Sequence, residues 1–493
     1  MEVISGLLIP EPETEPYPGR MVFQDGRIVA LIPTEEVVGS YYICSGFIDS
    51  HVHPLETGLG LFYPDLSPAK SIPDVLERLS TALREKADSP IILGFNLEPE
   101  RLQEHRYPYR RELDRLCQRK PVFVYRVDGH SGVGNSEALK LLPETVSDGV
   151  ELDGAGKPTG VVRGPAYESL STKLKRQLPK EIVKEAFQLT SQIAVKNGVT
   201  TLAALIGSNE LGEEEWKTLL DALDEAPIRM VPFLQSWNPF IARKFGLARI
   251  GGCLLIDGSF GSHTAALTKD YADAPGYKGL LYHTDEEIVA FISQATNLEL
   301  QTAFHAIGDR AIEQLLRCHE SLVENGFDNP LRHRIEHAEL LSLELIRRIA
   351  QLKLIVCVQP VFETTWGGPL GMYAQRLGER WENTNPLRLL LENGITVAGG
   401  SDSPITPLDP LRGIKAATSL PNVSQRIKGK DAFDLFTANA SYSLGIENKT
   451  GILKPGFDAD FVVLDADPRE NPCCQVLATY CAGRVVYQKC KWR

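Results

Sequence analysis

No run of about 18 consecutive apolar residues occurs in the chain, so no transmembrane helix is expected. The first residues lack the basic segment and long apolar core of a secretory signal. No tract is low in complexity, and no segment repeats at a fixed period. Basic stripes are also missing. With 64 acidic and 52 basic residues the net charge is −12, which argues against a nucleic-acid partner. The mildly basic segment 101–115 is diluted by Glu104, Glu112 and Asp114 and reads as a solvated surface. Cysteine is present but unpatterned. Cys44, Cys117, Cys253, Cys318, Cys357, Cys473, Cys474, Cys481 and Cys490 match no zinc-knuckle spacing, and their count is odd. A reduced, cytosolic protein is the simplest reading. Its composition is ordinary for a globular chain, and its 493 residues suffice for one large and one small domain. The expected partner is a small molecule, with no nucleic acid and no membrane; homo-oligomerisation is left open.

What is present has a rhythm. Residues 1–45 read as short strands, with Asp25-Gly26 as a hairpin turn. From Gly46 onward strands alternate with helices. Ser71 caps one helix, Thr284-Asp-Glu-Glu287 is a capping box, and Asn197-Gly198 ends the helix 179–196. Such alternation implies parallel βαβ units. Ten candidate strands fall between residues 46 and 402, two more than a closed (β/α)8 barrel needs. β character returns at Phe461–Leu464 and Arg484–Tyr487. The expected fold is therefore α/β, a (β/α)8 barrel over 46–445. A small, discontinuous β-sandwich would combine 1–45 with 446–493.

The chemistry gathers where strands run out. His51 and His53 end the first strand after Gly46. Residues i and i+2 of a strand face the same way, about 6 to 7 Å apart, so both imidazoles can reach one ion. His305 ends Leu300–Phe304, His337 ends Arg332–Glu336, and Asp402 follows Ile395–Ala398. In a barrel, reactive residues sit at these C-terminal ends. Four imidazoles and a carboxylate make a divalent transition-metal set, with Zn²⁺ the default and Mn²⁺, Fe²⁺ or Co²⁺ open. Taken singly, a strand-end histidine is more often a packed or capping residue.

The chain resembles the amidohydrolase superfamily, specifically its amidohydrolase family 3, or YtcJ-like, branch. The matching segments are Gly46-Phe-Ile-Asp-Ser-His-Val-His53, Asp257-Gly-Ser-Phe-Gly-Ser-His-Thr-Ala-Ala266, His305-Ala-Ile-Gly-Asp-Arg-Ala311, Arg332-His-Arg-Ile-Glu-His337, Gly400-Ser-Asp-Ser-Pro404 and Gly451-Ile-Leu-Lys-Pro-Gly-Phe-Asp-Ala-Asp460. The resemblance implies that His51, His53, His305 and His337 bind metal and that Asp402 contacts the metal or its water. Asp402 would then serve as base and acid in hydrolysis of a C–N bond in an amide, cyclic amide or N-acyl group. Rival readings are ester hydrolysis, deamination or isomerisation in the same pocket, or a non-catalytic regulatory barrel.

One departure stands out. Many relatives carry a metal-bridging lysine four residues before the Asp-Gly-Ser motif, and here that position is Cys253. Cys253 is a thiolate ligand or bridge, or it is merely packed beside a single ion, or another residue supplies the bridge. His130, Asn135, Arg163 and His263 are candidate substrate contacts. Asp309 and Arg310 read as an internal ion pair, and His105, His283 and His319 as surface residues.

Overall fold

A computed structural model describes residues 1–35, 39–324 and 331–489; Cys490 lies outside them. The chain opens with strands β1 (Glu2–Ile9), β2 (Tyr17–Gln24), β3 (Arg27–Pro33) and β4 (Tyr42–Ser45). Asp25 and Gly26, both at positive φ, turn β2 into β3. Next come β5 (Phe47–Val52), β6 (Ile92–Leu97), β7 (Val122–Arg126), β8 (Ser131–Gly134), β9 (Val150–Leu152) and β10 (Pro158–Arg163). Then follow β11 (Val199–Ile206), β12 (Arg229–Leu234), β13 (Arg249–Leu255), β14 (Gln301–Ala306), β15 (Arg334–His337), β16 (Ile355–Val358) and β17 (Val397–Gly399). The described chain closes with β18 (Phe461–Leu464), β19 (Val476–Cys481) and β20 (Arg484–Gln488).

Both ends of the chain build one seven-stranded sheet, in the order β20-β19-β18-β4-β1-β2-β3. The sequence suggested a sandwich, and the hydrogen bonding instead runs unbroken through a single sheet. Three strand spacings separate β2 from β18, about 14 Å if the sheet were flat. Yet Phe23 on β2 meets Phe461 on β18 with ring centroids 5.4 Å apart. The sheet therefore curls over a core of its own, which includes Leu8, Met21, Ile43, Val463 and Tyr480.

Eight parallel strands carry the candidate site in a TIM-barrel-like α/β arrangement. They form two sheets, β12-β11-β5 and β13-β14-β15-β16-β17. β12 packs beside β13. At the other seam, Asp402 donates its N–H to the His51 carbonyl at 2.8 Å, and His53 donates to Ser403 at 3.0 Å. Asp49 Oδ1 accepts the N–H groups of both His51 and Ser401 there. A glycine is required at 400, because a Cβ would lie 2.7 Å from that of His51. The two surplus candidate strands are β6 and β7, which belong to a separate sheet inserted between β5 and β11, ordered β6-β7-β8-β10-β9. Among the described residues, no helix is long and apolar enough to cross a membrane.

His319 is not a surface residue: it is buried on the helix Asp309–Glu324, its ring 5.6 Å from that of His333. Burial pushes His319 down to about 3, helped by His333, and pushes His333 down to about 4. Nδ1 of His333 accepts the Thr302 N–H at 3.0 Å, which requires an unprotonated nitrogen. An unfolded chain would protonate both imidazoles near 6.5. Their contribution to stability is therefore complete above that pH and is lost as pH falls toward 4 and below. Urea midpoints are expected to show a loss of about 2 kcal/mol per histidine between pH 7 and pH 5. In His319→Leu, the slope over that interval should be visibly flatter.

Candidate active site

His51 is the second-to-last residue of β5 and His53 lies just beyond the strand, with ring centroids 5.5 Å apart. His51 Nδ1 donates to Glu336 Oε2 at 2.6 Å. Glu336 is gripped in turn by Arg334, whose Nε and Nη2 reach its two oxygens at 2.8 Å each. Burial would raise the Glu336 carboxyl, but Arg334 and His51 overcome it and hold the group down at about 2. His337 Nδ1 donates to Gln359 Oε1 at 2.6 Å. Each of these bonds uses Nδ1, so Nε2 of both rings is left with its lone pair aimed at the centre.

Glu336 and His337 are neighbours, and in a regular strand they would face opposite sides. His337 has φ 70°, Ala338 φ 49° and Asp402 φ 54°, all left-handed conformations for residues with a Cβ. That local strain, about 1 to 3 kcal/mol per residue, swings consecutive side chains into one site.

At the centre, donors meet without pairing. Asp402 Oδ1 lies 3.2 Å from His51 Nε2 and 3.3 Å from His53 Nε2. Even so, His51 Nε2, Asp402 Oδ1 and both ring nitrogens of His305 are buried without a hydrogen-bond partner. The ligand atoms of His51, His53 and Cys253 lie within 4.8 Å of one another, as do those of His51, His337 and Asp402. His305 joins them, its ring 4.5 Å from that of His337. Burial drives His305 and His337 well below the usual histidine range, which keeps them neutral, as ligands must be. Burial would raise Asp402, but the neighbouring imidazoles, His51 first, hold it well below the usual carboxylate range. Convergent, unpartnered N, O and S atoms fit a divalent cation.

Cys253 reaches this cluster by a bulge. Gly251 pairs with Ala303 and Leu254 with Phe304, so Gly252 and Cys253 are extra residues in β13. Gly251 and Gly252 take φ 97° and 95°, which only glycine adopts readily. The loop they make turns the thiol toward His51 and His53, while the residue also packs on the cluster containing Ile48 and Leu205.

The profile of the Amidohydrolase family matches residues 42–487. The chain belongs to the amidohydrolase family. It is 27% identical to the putative amidohydrolase YtcJ of Bacillus subtilis, over 92% of this chain and 91% of that one. It is 24% identical to the N-substituted formamide deformylase of Arthrobacter pascens, over 93% and 91% of the two chains. An uncharacterised metal-dependent hydrolase from Pyrococcus horikoshii superposes with a TM-score of 0.76 at 28% identity, covering 95% of this chain and 98% of that one.

Two cavities open onto the amidohydrolase centre, of about 460 and 300 Å³, and His130, His305, His337 and Asp402 line both. His130 thus lies beside His305 in the wall of both cavities, with ring centroids 5.3 Å apart, and burial lowers its pKa. The other three candidate substrate contacts line neither cavity. Asn135 caps the helix Ser136–Leu139, and its side chain also bonds Val122, Cys117 and Lys120. Arg163 pairs with Glu151 at 2.8 Å. His263 bonds Asp273 at 3.0 Å. His283 corrects the surface reading: it lines the larger cavity with its ring 3.9 Å from that of Trp237. Asp309 and Arg310 serve different partners, Thr268 for one and the carbonyls of Lys278 and Gly279 for the other. Missing from the sequence reading were Arg334, Glu336 and Gln359. An oppositely charged pair two apart in one strand, which places both side chains on the same face, was the available signal for the first two.

Proposed function

We propose that this metal-dependent amidohydrolase cleaves a C–N bond other than a peptide bond, in an amide, cyclic amide or N-acyl group. One observation carries the reading: Asp402 Oδ1 and His51 Nε2 lie 3.2 Å apart, buried and unpartnered, where two cavities meet. We take the eight parallel strands as a (β/α)8 barrel over 46–445, with 1–45 and 446–493 as one β unit. His51, His53, His305, His337, Asp402 and the Cys253 thiolate would hold the metal, and their N, O and S donors favour Zn²⁺. When bound, such an ion supplies an activated water and polarises the substrate carbonyl. Asp402 Oδ1 takes the proton of the attacking water and passes it to the leaving nitrogen as the C–N bond breaks. His130, neutral and facing both cavities, contacts the substrate. The name of the deformylase relative supports a C–N substrate. The eight described cysteines are all unpaired, which supports a reducing compartment such as the cytoplasm.

The test is metal analysis followed by a panel of amides and esters. Chelation should abolish amide turnover, and Zn²⁺ should restore it. A purified protein without stoichiometric metal, or one that turns over only esters, overturns the reading. Cobalt substitution tests Cys253. The Co²⁺ protein should show a near-ultraviolet sulfur-to-cobalt absorption band that Cys253→Ser removes while cobalt content stays the same. Identical spectra would leave Cys253 as packing.

A further inference from the structure

The larger cavity is walled on one side by the helix Gly164–Lys175. Glu168, Ser171, Thr172 and Lys175 all line the cavity, and their spacing of three, four and seven residues puts them on one face of that helix. The cations here are already engaged. Lys175 Nζ reaches Glu56 at 2.6 Å, and Arg126 reaches Asp128 at 2.7 Å and Glu100 at 3.1 Å. Glu210, at the same wall, pairs with Lys173 at 3.5 Å. Glu168 alone among these carboxylates has neither an ion pair nor a side-chain hydrogen bond among the described residues. It lines the cavity together with Tyr125, Tyr167, Trp237 and Tyr282.

Glu168 is exposed, and no ion pair competes for its carboxylate among the described residues, so it is available to a charged group that enters the cavity. Aromatic residues that line the same cavity attract the same kind of ligand, because a ring's π-cloud favours a cation. Lys175 cannot turn to Glu168 without abandoning Glu56. A neutral substrate would leave the carboxylate as it is, and an anionic one would be repelled by it.

We infer that Glu168 is a specificity-determining residue which binds a cationic group, such as an alkylammonium, on the arm of the substrate remote from the scissile bond. The preferred substrate is then an amide bearing an amine or comparable cation. The reaction in this statement rests on the C–N hydrolase reading; the binding does not.

The metal-loaded enzyme separates the two. In calorimetric titrations, hexylammonium should bind at least about tenfold more tightly than hexan-1-ol, and Glu168→Gln should erase that preference. In turnover, N-acetylcadaverine should exceed the neutral, near-isosteric N-pentylacetamide in kcat/KM by about tenfold. Glu168→Gln should level the ratio while leaving N-pentylacetamide unchanged. Equal binding of the two probes by the native enzyme, or a preference that survives in Glu168→Gln, overturns the assignment. A preference for hexylammonium that Glu168→Gln removes, with no turnover of any amide, upholds the anchor and refutes the hydrolase reading instead.

Discussion

Asp402→Asn should lower kcat on any amide substrate by roughly 10²- to 10⁴-fold, the range expected on removing a general acid–base group. The amide keeps the shape of the carboxylate and can still donate to and accept from its neighbours. What it cannot do is hold a proton between attack and departure of the leaving nitrogen. Asp402 is buried, and the imidazoles around it keep the native carboxyl ionised far below neutral pH. In its proposed role as base, Asp402 is therefore ready across the whole physiological range, and activity should not fall on mild acidification through Asp402 itself. The seam between β5 and β17 depends on the Asp402 backbone N–H, which the substitution leaves in place. Folding by circular dichroism should accordingly stay near native, and kcat is to be compared at equal metal content by elemental analysis, because Asp402 is also a proposed ligand. A variant that keeps more than a tenth of native kcat would remove Asp402 from the proton-transfer role.

Arg334→Met carries the largest expected cost in stability, about 3 to 5 kcal/mol in a denaturant titration. Arg334 is fully buried, and it binds both Glu336 oxygens and the Ser50 carbonyl. Its loss strands the Glu336 carboxylate, which is also fully buried, with only His51 to answer its charge. Native Glu336 has its carboxyl lowered to about 2, against about 4.3 in an unfolded chain. It stabilises the fold above the unfolded value, and that contribution is lost as pH falls through the folded one. Arg334→Met should erase most of this acid-range dependence. Metal affinity should fall about 10- to 100-fold as well, because Glu336 orients His51. The double variant Arg334→Met/Glu336→Gln removes both charges and should regain part of the stability. If the single and double variants are equally stable, the charge pair is not what the mutation disturbs.

Legibility differed by residue. His51, His53, His305, His337 and Asp402 were readable because each ends a strand, and strand ends follow from apolar runs and turn residues. Their convergence was an inference from fold, and the geometry brings their ligand atoms or rings together. Ten candidate strands were readable too, but not which two leave the parallel set, since β6 and β7 are as apolar as any other. Asn135, Arg163 and His263 line neither cavity, since polar residues in loops also cap helices and form ion pairs, and only coordinates separate those uses. His319 lies on the apolar face of the helix Asp309–Glu324 with Ile312, Leu315, Leu316 and Leu322, a helix that the sequence reading did not assign.

The sequence alone determined the alternation of strands and helices, the β strands at both ends of the chain, the strand-end donors and the odd cysteine at 253. These are local properties, written in periodicity, capping and spacing. Tertiary structure decided the rest. It curled one sheet where a sandwich was expected, bulged β13 so that Cys253 faces two histidines, and left Glu168 unpaired in the cavity wall. Each depends on which distant residues share a small volume, and pairing energies between residues hundreds of positions apart leave no periodic trace in the chain.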